Sequence, residues 1–263
     1  MTAIISTGKE ESLPVPKLLK WRQHIPQHYQ VDKPILLTSG CSFTASTAQL
    51  AAAASWPGFV LERCGFDHCV DYSYPGAGNE YIGDSILCHL STLSESEIKK
   101  YMVIVMWSGI DRIGKKIVNS PNPLPNTPVL NGISYIRDTA ATKEDIKKTA
   151  QQSADKIFEM YDFLTSRSIP FVFSYYCNLL YPPYIPKRDS TPEFDKCLDV
   201  ETVKKLRDLP WIPKNPMDFM FEFGFKNDLL GDDLFHPTMK GSEYWTDQIL
   251  LPEMLNQNLI SKL

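Results

Sequence analysis

The feature that most constrains this chain is a rhythm of short apolar runs separated by helical segments. Residues 101–109, YMVIVMWSG, form the strongest run. Residues 33–40 (KPILLTSG), 69–76 (CVDYSYPG) and 169–176 (IPFVFSYY) repeat the pattern. Each is short, close to continuously apolar and bounded by turn residues, as suits a strand buried on both faces. Between them lie segments with helical spacing. Residues 44–54 read as a helix, the SWPG at 55–58 breaks it, and residues 59–65 give another short helical piece. Residues 79–93 place Ile82, Ile86, Leu87 and Leu90 on one side. Residues 142–167 carry a stripe of Ile146, Ala150, Ala154, Ile157, Tyr161 and Leu164, with Thr142 as the cap. Residues 236–259 form a closing helix with an expected break near Pro252.

Strands alternating with helices argue for a mostly parallel sheet covered on both faces. Such folds collect their functional residues at the C-terminal ends of the strands. Here the first three ends carry Ser42, Gly76 and Gly109. Two stretches interrupt the rhythm. Residues 114–140 read as a long loop with prolines at 121, 123, 125 and 128, and residues 177–232 as an irregular insertion rich in Pro and aromatics. Within the second, residues 215–224 carry the Asn-Pro start and Gly end of a short helix. Residues 1–32 read as a separate arm or covering segment, and 33–263 as one α/β domain.

Ser42 lies in SGCSFT at the end of the first strand, where a serine is either a nucleophile or the cap of the next helix. A serine nucleophile needs a base, a partner that fixes the base, and donors for the developing oxyanion. His236, in DDLFHP, is the leading base. Asp233 precedes it by three residues, so a turn can set the carboxylate beside the imidazole. The alternative is a histidine in a turn before a helix. The N–H groups of Ser42 and Gly76 are the candidate oxyanion donors. Gly76 and Gly78 are also what a tight turn alone would need. No glycine follows at position 81, so this is no dinucleotide fingerprint. Cys41 is a rival nucleophile, but neighbouring residues leave a strand on opposite sides, so one of the pair faces the base and the other the core. Trp211 and the aromatics around it either line a cleft or pack the insertion onto the core. Cys64, His68, Cys69, Cys88 and His89 match no zinc spacing, so no metal or organic cofactor is expected.

SGCSFT, YPGAGN, VMWSGIDR and DDLFHP occur in the order and spacing of the sequence blocks of the SGNH (GDSL-type) hydrolases, and the chain resembles that family from about Ile35 to the closing helix. The resemblance implies a flavodoxin-like three-layer α/β/α sandwich. It implies Ser42 as nucleophile, His236 as base, Asp233 as its orienting partner and Gly76 as an oxyanion donor. Two positions depart from the family. Gly40-Cys41-Ser42 stands where the family reads Gly-Asp-Ser. Ile110 stands where the family's third block supplies an Asn that donates to the oxyanion. Asn79 and Arg112 are the candidates to compensate, with Gly109 beside them; Asn79 also suits a helix cap and Arg112 a salt bridge. The chain lacks the Gly-x-Ser-x-Gly of an α/β-hydrolase elbow.

The net charge of −4 gives no nucleic-acid footprint. The N-terminal residues hold no apolar run of signal-peptide length, and no stretch reaches a membrane span, so a cytoplasmic protein with reduced cysteines is expected. The candidate triad points to an ester hydrolase acting on a small-molecule or glycan ester; the family resemblance and the polar, aromatic-rich insertions imply an O-acyl group on a carbohydrate. An O-acyltransferase using the same site, or a catalytically degenerate binder of a glycan or protein partner, is the alternative.

Overall fold

In a computed structural model, the structure describes residues 17–20, 29–45, 55–110, 112–118, 129–130, 133–138, 142–176, 179–180, 191–212, 214–216, 229–231 and 236–262. The central sheet is built from β1 (Lys17–Lys20), β3 (Ile35–Ser39), β4 (His68–Asp71), β5 (Tyr101–Trp107) and β9 (Phe171–Tyr175). Its order is β1-β4-β3-β5-β9, with β4, β3, β5 and β9 parallel and β1 antiparallel on the edge. The parallel strands follow the flavodoxin-like 2-1-3-4 arrangement, in which the chain reverses direction across the sheet beside its first parallel strand. That strand is β3, so Ser42 leaves the sheet at the switch point.

All seven residues of β5 are buried. Alternation divides the sheet's side chains between two cores. Leu37, Val103, Val105, Trp107 and Phe173 face one, with α2 (Asn79–Ser91), α4 (Lys143–Ser166) and α6 (Val200–Arg207) over it. Leu36, Met102, Ile104, Met106 and Val172 face the other, under α1 (Trp56–Cys64) and the C-terminal helices. Each such buried aliphatic side chain contributes about 1.5–3 kcal/mol, so the two-sided core holds the strand ends in register. Thr142 closes a reciprocal capping box with Asp145 at the start of α4, as its sequence requires. The short α3 (Glu95–Ile98) and α5 (Glu193–Cys197) complete the connections around the sheet.

Three elements differ from expectation. The stretch expected as a long loop contains β6 (Ile113–Val118), β7 (Val129–Leu130) and β8 (Ile133–Asp138), a three-stranded antiparallel sheet in the order β6-β8-β7. Its prolines favour a loop, while IGKKIV and ISYIRD supply the strands that pair. Tyr135 anchors it by donating to Asp84 Oδ2 at 2.6 Å, and Lys156 pairs with the other oxygen of Asp84 at 2.8 Å. In the N-terminal region, β1 pairs with the edge of β4, and β2 (Tyr29–Gln30) pairs with β10 (Ser261–Lys262). The closing helix passes through Pro252 without breaking: α7 (Met239–Trp245) and α8 (Leu251–Asn256) are joined by a π-turn at Thr246–Leu250. A π-turn relieves the clash between a proline ring and the carbonyl four residues back. The stretches 46–54 and 217–224, expected to be helical, lie outside the described residues; Asn215 and Pro216, just before the second, are buried. No helix among the described residues is long and apolar enough to cross a membrane.

Candidate active site

The turn after β3 is shaped by Gly40. A Cβ there would run into the side chain of Thr44 and lie 3.2 Å from the Met106 carbonyl oxygen, so the chain crosses the end of β5 only because position 40 has no side chain. Thr44 and Ala45 both donate backbone N–H groups to the Cys41 carbonyl, at 3.0 and 2.8 Å. That tight turn sends the two candidate nucleophiles to different places. Cys41 is fully buried in the core under α1, whereas Ser42 is half-buried.

Ser42 Oγ lies 2.8 Å from His236 Nε2. This is hydrogen-bond distance for a hydroxyl giving its proton to a base. The two residues are 194 positions apart in the chain. His236 is held by a short antiparallel clasp. Gly231 N–H donates to the His236 carbonyl at 2.8 Å, and Thr238 N–H donates to the Leu229 carbonyl at 2.9 Å. Thr238 then caps α7 through Gly241 N–H at 3.1 Å. Asp233 lies outside the described residues.

Phe43 packs against the imidazole with ring centroids 5.1 Å apart. Its ring stacks on Tyr176 at 4.8 Å, and the Arg112 guanidinium lies 4.8 Å from the Tyr176 centroid. A line of rings thus runs from the candidate base to a cation that is 7 % exposed. Phe43 and Tyr176 are functional neighbours that the sequence reading does not single out. Both flank strand ends, which is the signal that could have found them.

Gly76 occupies the turn Tyr74-Pro75-Gly76-Ala77, closed by Ala77 N–H on the Tyr74 carbonyl at 3.0 Å. Its φ of 83° and the preceding proline mark the third residue of a type II turn, a position that disfavours any side chain. The loop is tied to the Ser42 turn by Tyr74 N–H on the Gly40 carbonyl at 3.0 Å. Among the described residues, no acceptor takes the N–H of Ser42 or of Gly76. Both therefore remain available as donors.

On the β5 side the arrangement departs from what the sequence suggests. The Asn79 side chain accepts from Ser108 N–H at 2.6 Å. Its amide donates to the Ser108 carbonyl at 2.9 Å and to Ser153 Oγ at 3.1 Å. Both amide hydrogens are spent, so Asn79 clasps the turn after β5 and has none left for an oxyanion. It is not the cap of α2 either, because Gly78 holds that position. Ile110, 4 % exposed, turns its side chain into the core, and its N–H is 3.2 Å from Glu193 Oε2. Gly109 is buried between them. Trp211 is 5 % exposed and packs on Phe173 and Tyr175. Its ring packs in the core, and it borders a cavity lined by Phe171, Pro210 and Leu259 rather than by Ser42 or His236.

No family model matches the sequence, and no curated protein does. Solved structures share its fold. TesA is 14 % identical with a TM-score of 0.50, the match covering 84 % of this chain and 97 % of TesA. Protein YXIM_BACsu from Bacillus subtilis is 11 % identical with a TM-score of 0.51, over 87 % of this chain and 58 % of that one. A member of the lipolytic protein G-D-S-L family from Veillonella parvula is 10 % identical with a TM-score of 0.46, over 84 % of this chain and 96 % of that chain. At identities this low, the likeness to TesA and YXIM_BACsu is one of fold, a mostly parallel sheet covered by helices on both faces.

Proposed function

We propose that the protein is a serine-dependent ester hydrolase of SGNH type. The observation that carries this reading is the 2.8 Å contact between Ser42 Oγ and His236 Nε2 at the switch point of the sheet. Ser42 Oγ attacks the acyl carbon while His236 Nε2 takes its proton. The carbonyl oxygen becomes an oxyanion, received by the N–H groups of Ser42 and Gly76. His236 returns the proton to the leaving alcohol, and water then repeats the sequence on the acyl-enzyme. Asp233 orients the imidazole in this scheme, a role carried over from the family resemblance. The favoured substrate is an O-acyl group on a carbohydrate or a small-molecule ester. Phe43, between His236 and Tyr176, backs the site, with Arg112 against the Tyr176 ring.

Fluorophosphonate labelling and p-nitrophenyl acetate turnover test this directly. We expect labelling of the wild type, and loss of labelling and turnover in Ser42→Ala and His236→Ala, with turnover falling by up to ~10⁶-fold. Turnover that survives in Ser42→Ala would overturn the serine mechanism. Transfer to an added alcohol in preference to water would make the protein an O-acyltransferase. A second reading, a binder without turnover, is favoured by Ile110, whose side chain and N–H both turn away from the site. It predicts no labelling in the wild type.

A further inference from the structure

Asp71 ends β4 and is 3 % exposed. Its Oδ1 accepts from Thr38 Oγ1 at 2.8 Å, from the backbone N–H of Ser73 at 3.0 Å and from the Ser73 hydroxyl. Thr38 lies on β3 shortly before Ser42, and Ser73 lies shortly before Gly76. One carboxylate oxygen therefore joins the strand that carries the nucleophile to the loop that carries the oxyanion donor. Backbone bonds run alongside it: Tyr72 N–H to the Thr38 carbonyl at 2.9 Å, and Tyr74 N–H to the Gly40 carbonyl at 3.0 Å. The Tyr81 hydroxyl holds the Tyr72 carbonyl at 2.9 Å, and Tyr72 itself reaches His89 Nδ1 at 3.1 Å.

A carboxylate in such a place is costly unless donors surround it. Here the donors come from both sides of the site. They lock a loop whose next residues are Tyr74, Pro75 and Gly76. The partners of this network are Thr38, Ser73 and the backbone of the Gly76 loop, so its effect on chemistry runs through the placement of the Gly76 N–H.

We infer that Asp71 is a positioning residue for the oxyanion site, fixing the Gly76 turn against β3 through Thr38 and Ser73. Its catalytic consequence rests on the serine-hydrolase reading; its structural part does not. Donors that stabilise an oxyanion act only from a fixed place, and a displacement of about 1 Å in a catalytic group costs ~10²-fold in rate.

The test compares Asp71→Ala, Asp71→Asn and Thr38→Val by two readouts. One is kcat and KM on p-nitrophenyl acetate. The other is amide hydrogen exchange across residues 72–78, with β5 as the internal reference. Asp71→Ala is expected to lower kcat about 10²-fold at nearly constant KM and to speed exchange in 72–78 while β5 stays protected. Asp71→Asn keeps an oxygen acceptor and is expected to restore most of both. Thr38→Val removes one donor and is expected to fall between. Should Asp71→Ala fail to fold, Thr38→Val and Asp71→Asn still decide the matter. Wild-type exchange at 72–78 in Thr38→Val would overturn the inference. So would a loss of protection spread equally over β5, or an Asn variant no better than Ala. A wild type without turnover would sink the hydrolase reading alone, because exchange still reports whether Asp71 fixes the turn.

Discussion

On the β4 side of Ser42, the loop from Tyr72 to Ala77 is tied down at almost every residue. Asp71, Thr38 and Ser73 hold its start, Gly40 its middle, and the Tyr74–Ala77 turn its end. On the β5 side, the turn from Ser108 to Ile110 is equally well held, but by groups that draw it inward. Asn79 clasps the Ser108 backbone, Glu193 takes the Ile110 N–H, and the Ile110 side chain enters the core. The two turns have similar order and opposite chemical offerings. One leaves the Gly76 N–H open beside Ser42, and the other commits the N–H groups of Ser108 and Ile110 to Asn79 and Glu193. If Ser42 is the nucleophile, oxyanion stabilisation is expected to be carried by Ser42 and Gly76, whose loop is tied to the Ser42 turn by Tyr74 N–H on the Gly40 carbonyl. Rigidity alone does not make a turn catalytic; what counts is which donors the rigid turn leaves free.

The largest effect that could break this comparison belongs to Gly76. A side chain at φ 83° is strained, at a cost of roughly 1–2 kcal/mol, and the turn would shift to relieve it. Gly76→Ala is expected to turn over about 10²–10³-fold more slowly, the usual loss for one oxyanion donor, at an almost unchanged KM. Steady-state kinetics beside a thermal melt would separate the catalytic from the structural part. A Gly76→Ala enzyme as fast as the wild type would show that the supported side is not where the oxyanion sits.

Next comes Ile110→Asn, which writes the family's amide into the third block. If the turn kept its present path, the new side chain would enter the core, and burying an unsatisfied amide costs about 1–3 kcal/mol. We expect a lower melting temperature and turnover within about tenfold of wild type, since a donor pointing into the core stabilises nothing. Turnover faster than wild type by about a hundredfold, the scale of one regained oxyanion donor, would mean that the turn can swing outward. The two sides would then be equivalent after all.

How much of this is legible in the sequence follows the same division. Ser42 and Gly76 stand out because each follows a strand's end, where open α/β sheets carry sites, and His236 because Asp233 precedes it by three residues and Pro237 follows it. The four parallel strands are equally plain, because continuous apolar runs of that length leave few alternatives. Asp71 gives no such signal: an Asp at a strand's end reads as a turn residue, and its decisive partner, Thr38, is 33 positions away. Asn79 reads as a cap or a donor, yet its partners Ser108 and Ser153 belong to another strand's end and another helix. The β6-β8-β7 sheet is obscured by the prolines in the stretch it spans, although the strands themselves carry none. Local pattern picks out the candidate reactive groups. The groups that aim them are defined by contacts between distant segments, which no local pattern encodes.

The smallest effect sharpens the comparison from the rear of the supported loop. His89 packs its ring against Tyr101 and meets the Tyr72 hydroxyl, and burial lowers its pKa below the usual histidine value of 6.5. Its folded form therefore takes up a proton less readily than its unfolded form. As pH falls below about 6.5 the unfolded chain binds more protons at this site, so the folded state loses stability until the lowered pKa is passed, after which the loss levels off. In His89→Gln, which cannot titrate, the decline in melting temperature over that window should be shallower than in the wild type. Because Tyr72 lies between Asp71 and Ser73, acid should also lower the protection of the amides at 72–78, measured against their intrinsic exchange rate at each pH, before it affects the turn at 108–110. Acid that loosened both turns together, or identical melting profiles for wild type and His89→Gln, would remove His89 from the loop's support and leave Asp71 as the residue that sets it.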